Sequence, residues 1–217
     1  QLSCRFSLAT MTLNVETSRP QPKTPLKKPQ KLQGYLFTYY NTKITEERKA
    51  QIERINQQVR DLYGPLLATV NASRTAYKAM VRAHSPDGGG SAAAFVSAVR
   101  HDPEGATARV YRTWMRDVLQ PLNERAASIV VERADLLEAA AMPALLLALV
   151  AHVSANRVVL ARWRDGDLGA TSALPYPDAL HAWVAAEFRG IKARQAALLG
   201  VAAPRHGDEE GVGLAKL

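Results

Sequence analysis

The stretch Glu138–Trp163, "EAAAMPALLLALVAHVSANRVVLARW", decides how this chain is expected to fold. Its uninterrupted apolar run, Ala139–Ala151, is thirteen residues long and contains Pro143. A bilayer needs about 20 predominantly apolar residues, whereas about 10–14 usually mark a buried helix. A wider window takes in Asp135 and Glu138 on one side and Arg157 on the other. The stretch is therefore read as a soluble core helix, with no integral membrane span.

Phase carries the reading further. Leu145, Leu149, His152, Asn156, Val159 and Trp163 recur at alternating steps of four and three, which is one side of an α-helix. Arg157, Ala161 and Arg164 fall toward the other side. His152 and Asn156 thus lie on the packing seam and need partners there, since a buried polar group left unpaired costs about 1–3 kcal/mol. Asn123, just after Pro121-Leu122, is the third polar residue expected on a seam, where it could satisfy carbonyls freed by a proline kink.

The flanking sequence is helical in the same way. From Thr45, a plausible N-cap followed by Glu46 and Glu47, apolar residues recur at Ile52, Ile55, Val59, Leu62 and Leu66 and resume at Val70, Tyr77 and Met80. Gly64-Pro65 is expected to kink or break this rod. "HSPDGGGS" (84–91) is a flexible loop, and "AAAFVSAVRHDPEG" a short helix ended by Asp102-Pro103. A further helix starts near 104–107 and carries Tyr111, Trp114, Val118, Leu122, Ile129, Leu136 and Leu137, with a kink at Pro121 and an end or bend at Pro143. After the loop 164–177, the last helix places Leu180, Trp183, Val184, Phe188, Ile191, Gln195 and Leu198 on one stripe and stops at Gly200. No stretch alternates with period two for long, and no internal repeat is evident. The expected fold is all-α: an antiparallel bundle of about four principal helices, kinked by prolines.

Charge divides the chain. The net charge is +8, but residues 1–44 hold seven Lys/Arg against the single acid Glu16, leaving 21 bases against 19 acids elsewhere. The near-balanced remainder lacks the concentrated positive face of a nucleic-acid binder. Residues 1–33, rich in Ser/Thr, Pro and Lys, are expected to be a disordered basic leader; an organelle transit segment, or upstream sequence with Met11 as the true start, are the alternatives. Residues 34–200 then form one helical domain and 201–217 a flexible polar tail. The aromatic cluster "GYLFTYY" (34–40) is expected to dock as a strand or short helix, with a partner-binding patch as the alternative. The single cysteine, Cys4, permits neither an intrachain disulfide nor CxxC metal ligation, which fits a reducing compartment. The expected location is intracellular and soluble: cytoplasmic, or chloroplast or mitochondrial if residues 1–33 are a transit segment.

Chemistry is sparse. No GxGxxG, GxxxxGK[ST], GxSxG, ExxH or HExxH pattern occurs, and Gly88–Gly90 lacks the strand and the Lys-Ser/Thr that a phosphate loop needs. No cofactor is expected. His152 is the weak candidate for a catalytic base, and His152 with Asp135 for metal ligation; Glu132 and Glu138 on the preceding segment are further acids. A neutral core histidine that fixes helix register is the plainer alternative.

The blocks "QQVRDLYGPLLA", "WMRDVLQPLNE", "ADLLEAAAMPALLLALVAHV" and "YPDALHAWVAAEFRGIKARQAALL" resemble a group of helical proteins of bacteria and microalgae, over roughly residues 45–199. The group has no assigned activity, so the resemblance implies an all-α fold and no site. An aromatic is commoner in that group where this chain has Asn156, which speaks against a shared His/Asn ligand pair. The alanine- and arginine-rich composition suits a green alga.

The expected function is that of a non-enzymatic interaction or scaffold protein. It would self-associate or bind a partner helix through an apolar seam or the 34–40 segment, because the long Thr45–Arg82 seam is hard to bury against three other helices. Two alternatives stand: a small helical-bundle enzyme or metal protein centred on His152, and peripheral contact with anionic membranes through the basic leader, Arg19–Lys31.

Overall fold

The structure, a computed structural model, describes residues 30–139 and 141–201, with side chains from residue 34 onward. The leader up to residue 29 and the tail from 202 lie outside the described residues. Among those described the protein is all-helical, with no strand. Contacts divide the chain into Gln1–Lys43 and Ile44–Leu217.

Helix α1 (Gln30–Gln57) begins well before the expected start at Thr45. Nothing between Gln30 and Thr45 breaks a helix: the last proline is Pro29, and Gly34 stands alone. Thr38 spends its hydroxyl on the carbonyl of Gly34, one turn back and 3.0 Å away. The aromatic cluster expected to dock is thus mid-helix, and Tyr35, Phe37, Tyr39 and Tyr40 are exposed.

Helix α1 passes without interruption into α2 (Gly64–His84) through a π turn, Gln58–Tyr63. Here the Gly64 N–H reaches back five residues to the Val59 carbonyl. Pro65 has no N–H to give and its ring would crowd the carbonyl four residues back; the widened turn takes up that misfit, so the helix does not break at Gly64-Pro65 but continues through a π turn. A Cβ on Gly64 would stand 2.5 Å from the Val59 carbonyl oxygen, so this turn requires glycine there.

The same device recurs. Helix α3 (Ala92–His101) starts at Ser91, whose hydroxyl accepts the Ala94 N–H at 3.2 Å, and ends at Asp102 as expected. Helix α4 (Ala106–Trp114) then continues through a second π turn, Met115–Leu119, into α5 (Gln120–Glu132), with Pro121 just past the turn and Gln120 N–H bonded to the Met115 carbonyl. The two sites read "RDLYGPL" (60–66) and "RDVLQPL" (116–122), a short internal echo. In each, an exposed Arg–Asp neighbour pair closes an ion pair, Arg60–Asp61 at 3.0 Å and Arg116–Asp117 at 2.7 Å.

Helix α5 ends at Glu132, eleven residues before Pro143, rather than running on toward it. A 3-10 turn, Ala134–Leu136, follows. Arg54 donates to the Asp135 carbonyl and Gln58 Nε2 to the Leu136 carbonyl at 2.8 Å, so tertiary bonds take carbonyls that a longer helix would use. These bonds override the helix preference of the alanines that follow. Pro143 sits at the N-cap of α6 (Ala144–Arg164), and α7 (Leu180–Leu199) ends at Gly200 in the left-handed conformation, φ 72°.

Within Ile44–Leu217, α2 packs on α5 and α7, and α5 packs on α6. The larger core gathers Leu62, Leu66, Val70, Val130, Leu146, Leu149, Leu180, Val184 and Ile191. A smaller one gathers Met80, Phe95, Met115 and Leu119, with Tyr111, Trp114 and Trp163 against it.

Candidate functional site

Helix α6 buries two of its polar residues. His152 is 8 % exposed and Asn156 5 %, one turn apart on the face turned into the core. His152 Nδ1 lies 2.8 Å from the Leu174 carbonyl oxygen, an acceptor only, so Nδ1 carries the proton. Nε2 is then the acceptor, and Asn156 Nδ2 donates to it at 2.9 Å. Leu174 lies in the loop between α6 and α7, so the histidine pins that loop to the helix. The half-buried Tyr176 stands edge-on to the imidazole, ring centroids 5.5 Å apart, and burial, with Asp178 adding to it, pushes its hydroxyl up to about 12.

Both imidazole nitrogens are therefore engaged with protein groups. A general base needs a nitrogen facing a substrate, and a metal ligand needs a free lone pair. Asp135 is exposed in the 3-10 turn, its carbonyl held by Arg54. Among the described residues no three His, Cys, Asp or Glu side chains come together as a metal site would require.

The third expected seam residue, Asn123, is buried, and its Oδ1 accepts a hydrogen bond from Ser73 on α2 at 2.8 Å. It ties α5 to α2 rather than serving kink carbonyls. Two glutamines beside the π turns do related work and had no signal in the sequence. Buried Gln58 binds the Leu136 carbonyl, and buried Gln120 the Val153 carbonyl at 3.2 Å and Glu124 at 3.1 Å. Around Gln58, a shallow groove of about 640 Å³ is lined by Ile55, Arg54, Glu138, Arg194 and Leu198. There the Arg194 guanidinium holds the Glu138 carboxyl below its ordinary range, with Gln58 and Arg54 adding to the effect. Arg194 and Glu138 are thereby occupied with each other.

The outer face of α6 is the opposite of the inner one. Ala144, Leu147, Ala148, Ala151, Ser154 and Val158 are exposed, spaced by three and four, with Leu147 56 % and Val158 61 % in solvent. No ionisable side chain belongs to this stripe. Ser154 returns its hydroxyl to the Val150 carbonyl at 2.9 Å, so even its one polar group is satisfied within the helix. The neighbouring Arg157 turns to Glu124 on α5, 2.7 Å away. By length and composition α6 is the one helix among the described residues apolar enough to cross a bilayer, and 33 % of its most apolar window is buried. The run between Glu138 and Arg157 holds no charged residue, which is the signal that could have revealed this face.

Comparison with protein-family models, curated proteins and solved structures gives no match for this chain.

Proposed function

We propose that this is a non-enzymatic helical scaffold that self-associates through the outer face of α6, with a partner's helix as the alternative occupant. The observation that carries the reading is the exposed, uncharged stripe from Ala144 to Val158. Apolar stripes with this 3–4 spacing are what paired helices bury against each other. A two-fold axis near Ala151 would set two copies of α6 antiparallel, and large residues would then oppose small ones: Val158 against the second copy's Ala144, and Leu147 against its Ala155.

Within one chain, the longer helical rods are taken as an antiparallel bundle. The support is that α5 and α6, consecutive along the chain, pack on each other across the brief connection 133–143, as antiparallel neighbours in bundles do. The face of α6 is read as a protein contact in an intracellular, soluble setting rather than a membrane span, because the helix would otherwise hold His152 and Asn156 at bilayer depth.

Cysteine cross-linking tests the pairing. With Cys4→Ser as background, Ala151→Cys should form a disulfide dimer under mild oxidation, and Ala144→Cys should not pair with itself. Equal cross-linking at both positions, or none at Ala151→Cys, would contradict the two-fold arrangement.

A further inference from the structure

Helix α2 packs on α7, and the line where they meet gathers cations. From Gly64 to His84, α2 holds Arg74, Lys78, Arg82 and His84 and no acid. Arg74 and Lys78 are one turn apart, so they leave the same side of the helix, and both are exposed. From α7 the half-buried His181 comes up beside them, its Nδ1 2.9 Å from Arg74 Nη1. A guanidinium only donates, so Nδ1 accepts and the imidazole proton sits on Nε2.

The result is a set of donors with nothing to receive them. Arg74 gives one N–H to the histidine and keeps the rest of its fork. Among the described residues neither Arg74 nor Lys78 forms an ion pair, and no acceptor meets Lys78 Nζ or His181 Nε2. Arg60, Arg116, Arg157 and Arg194, by contrast, each hold a carboxylate. Asp178, ahead of α7, acts on the hydroxyls of Tyr77 and Tyr176, whereas the charges acting on His181 are those of Arg74 and Lys78. An anion seated among these groups relieves their mutual repulsion. A carboxylate would be matched by the guanidinium fork alone, but a tetrahedral oxyanion has acceptor oxygens for the fork, the ammonium and the imidazole N–H together.

We infer that Arg74, Lys78 and His181, brought together by α2 and α7, bind the phosphate group of a small ligand, either inorganic phosphate or a phosphomonoester. This goes beyond the association of α6 and does not depend on it, since the two surfaces share no residue.

The test is titration of the full chain with inorganic phosphate and with glycerol 3-phosphate, followed by calorimetry at matched ionic strength. Both should saturate, with a dissociation constant on the order of 1 mM or tighter. Whichever binds more tightly names the source of the phosphate, and either order upholds the site. A charge-assisted hydrogen bond contributes about tenfold or more, so Arg74→Gln and Lys78→Gln should each weaken binding by about that factor. Arg74→Lys keeps the charge but loses the fork and should also bind more weakly than the parent. Arg82→Gln removes a cation from the same helix about 12 Å beyond Arg74, roughly one screening length away, and should cost less than about threefold. These three positions are exposed, and circular dichroism should show the variants folded. The histidine supplies a second readout by NMR. Sulfate should raise the His181 titration midpoint toward or above 6.5 by more than sodium chloride of equal ionic strength does, because a bound dianion favours the imidazolium. Four results overturn the proposal: no saturable binding of either phosphate, an Arg74→Gln variant that binds like the parent, Arg82→Gln as damaging as Arg74→Gln, or a His181 midpoint that sulfate moves no further than chloride. The third would make the attraction a diffuse field rather than a site.

Discussion

The two faces of α6 each depart from the usual order. Inside, among buried leucines and valines, the helix holds a histidine and an asparagine; outside, it shows a stripe of leucine, valine and alanine. The inner polar pair is tolerable because each of its key groups is bonded: Nδ1 to Leu174, Nε2 to Asn156. The outer apolar face has no such resolution within the chain. Polar atoms in a core can be satisfied locally by two or three hydrogen bonds, whereas exposed apolar area is removed from water only by another surface. The difference separates a residue set that explains stability from one that points to function.

Breaking the inner face should have the largest effects. Leu149, fully buried beside His152, anchors the larger core, and Leu149→Ala should cost about 2–5 kcal/mol in urea unfolding. Asn156→Ala strands His152 Nε2 without a donor and should cost about 1–3 kcal/mol. Its readout beyond stability is the loop: amide exchange around Leu174 should quicken as the pinned histidine loosens. An unchanged exchange pattern there would mean that the pair does not hold the loop.

Acid sharpens the comparison more gently. Arg157 holds Glu124, and Arg194 holds Glu138, below the ordinary carboxyl value of 4.5, so each contributes stability that is present above that pH and lost as pH falls through the depressed value. His181 is held below 6.5, by burial first and by Arg74 and Lys78 after it. The unfolded chain therefore takes up that proton before the folded one, and the loss begins as pH falls below 6.5. Unfolding free energy should decline between about pH 7 and pH 4, with Glu124→Gln flattening the lower part. These groups are largely exposed and the effect should be small; a rise in stability over the same range would reverse the sign.

At the outer face the stability effect should nearly vanish. Leu147→Glu changes an exposed side chain and should shift monomer stability by no more than about 0.5 kcal/mol. Association is where it should show.

Much of the fold was legible because it rests on local periodicity. The stripes of α2, α6 and α7, the Ser91 start, the Asp102 end and the Gly200 stop follow from spacing and terminal residues alone. Pro65 and Pro121 mark where the helix ladder is disturbed, but that the helix continues through a π turn instead of breaking depends on what packs around it. The early end of α5 depends on Arg54 and Gln58, which come from another helix and leave no mark near Glu132. At the candidate site, the phase placed His152 and Asn156 on a seam, and its position after Pro121 marked Asn123 as a third buried polar residue. Their partners were illegible, since a loop carbonyl such as that of Leu174 has no sequence signature and Ser73 is one serine among many. The outer face of α6 escaped for a different reason. Apolar length distinguishes a bilayer span from a core helix, but it does not say whether both sides of the helix are covered.

The central claim, that the uncovered face of α6 joins two copies, is tested most directly by light scattering on the eluting protein at micromolar concentration. One chain has a mass of 23.7 kDa. The parent protein should elute at the mass of a dimer, and Leu147→Glu/Val158→Glu at that of a single chain with unchanged helicity. A parent that stays at the single-chain mass across all concentrations, or a double variant that stays dimeric, would contradict it.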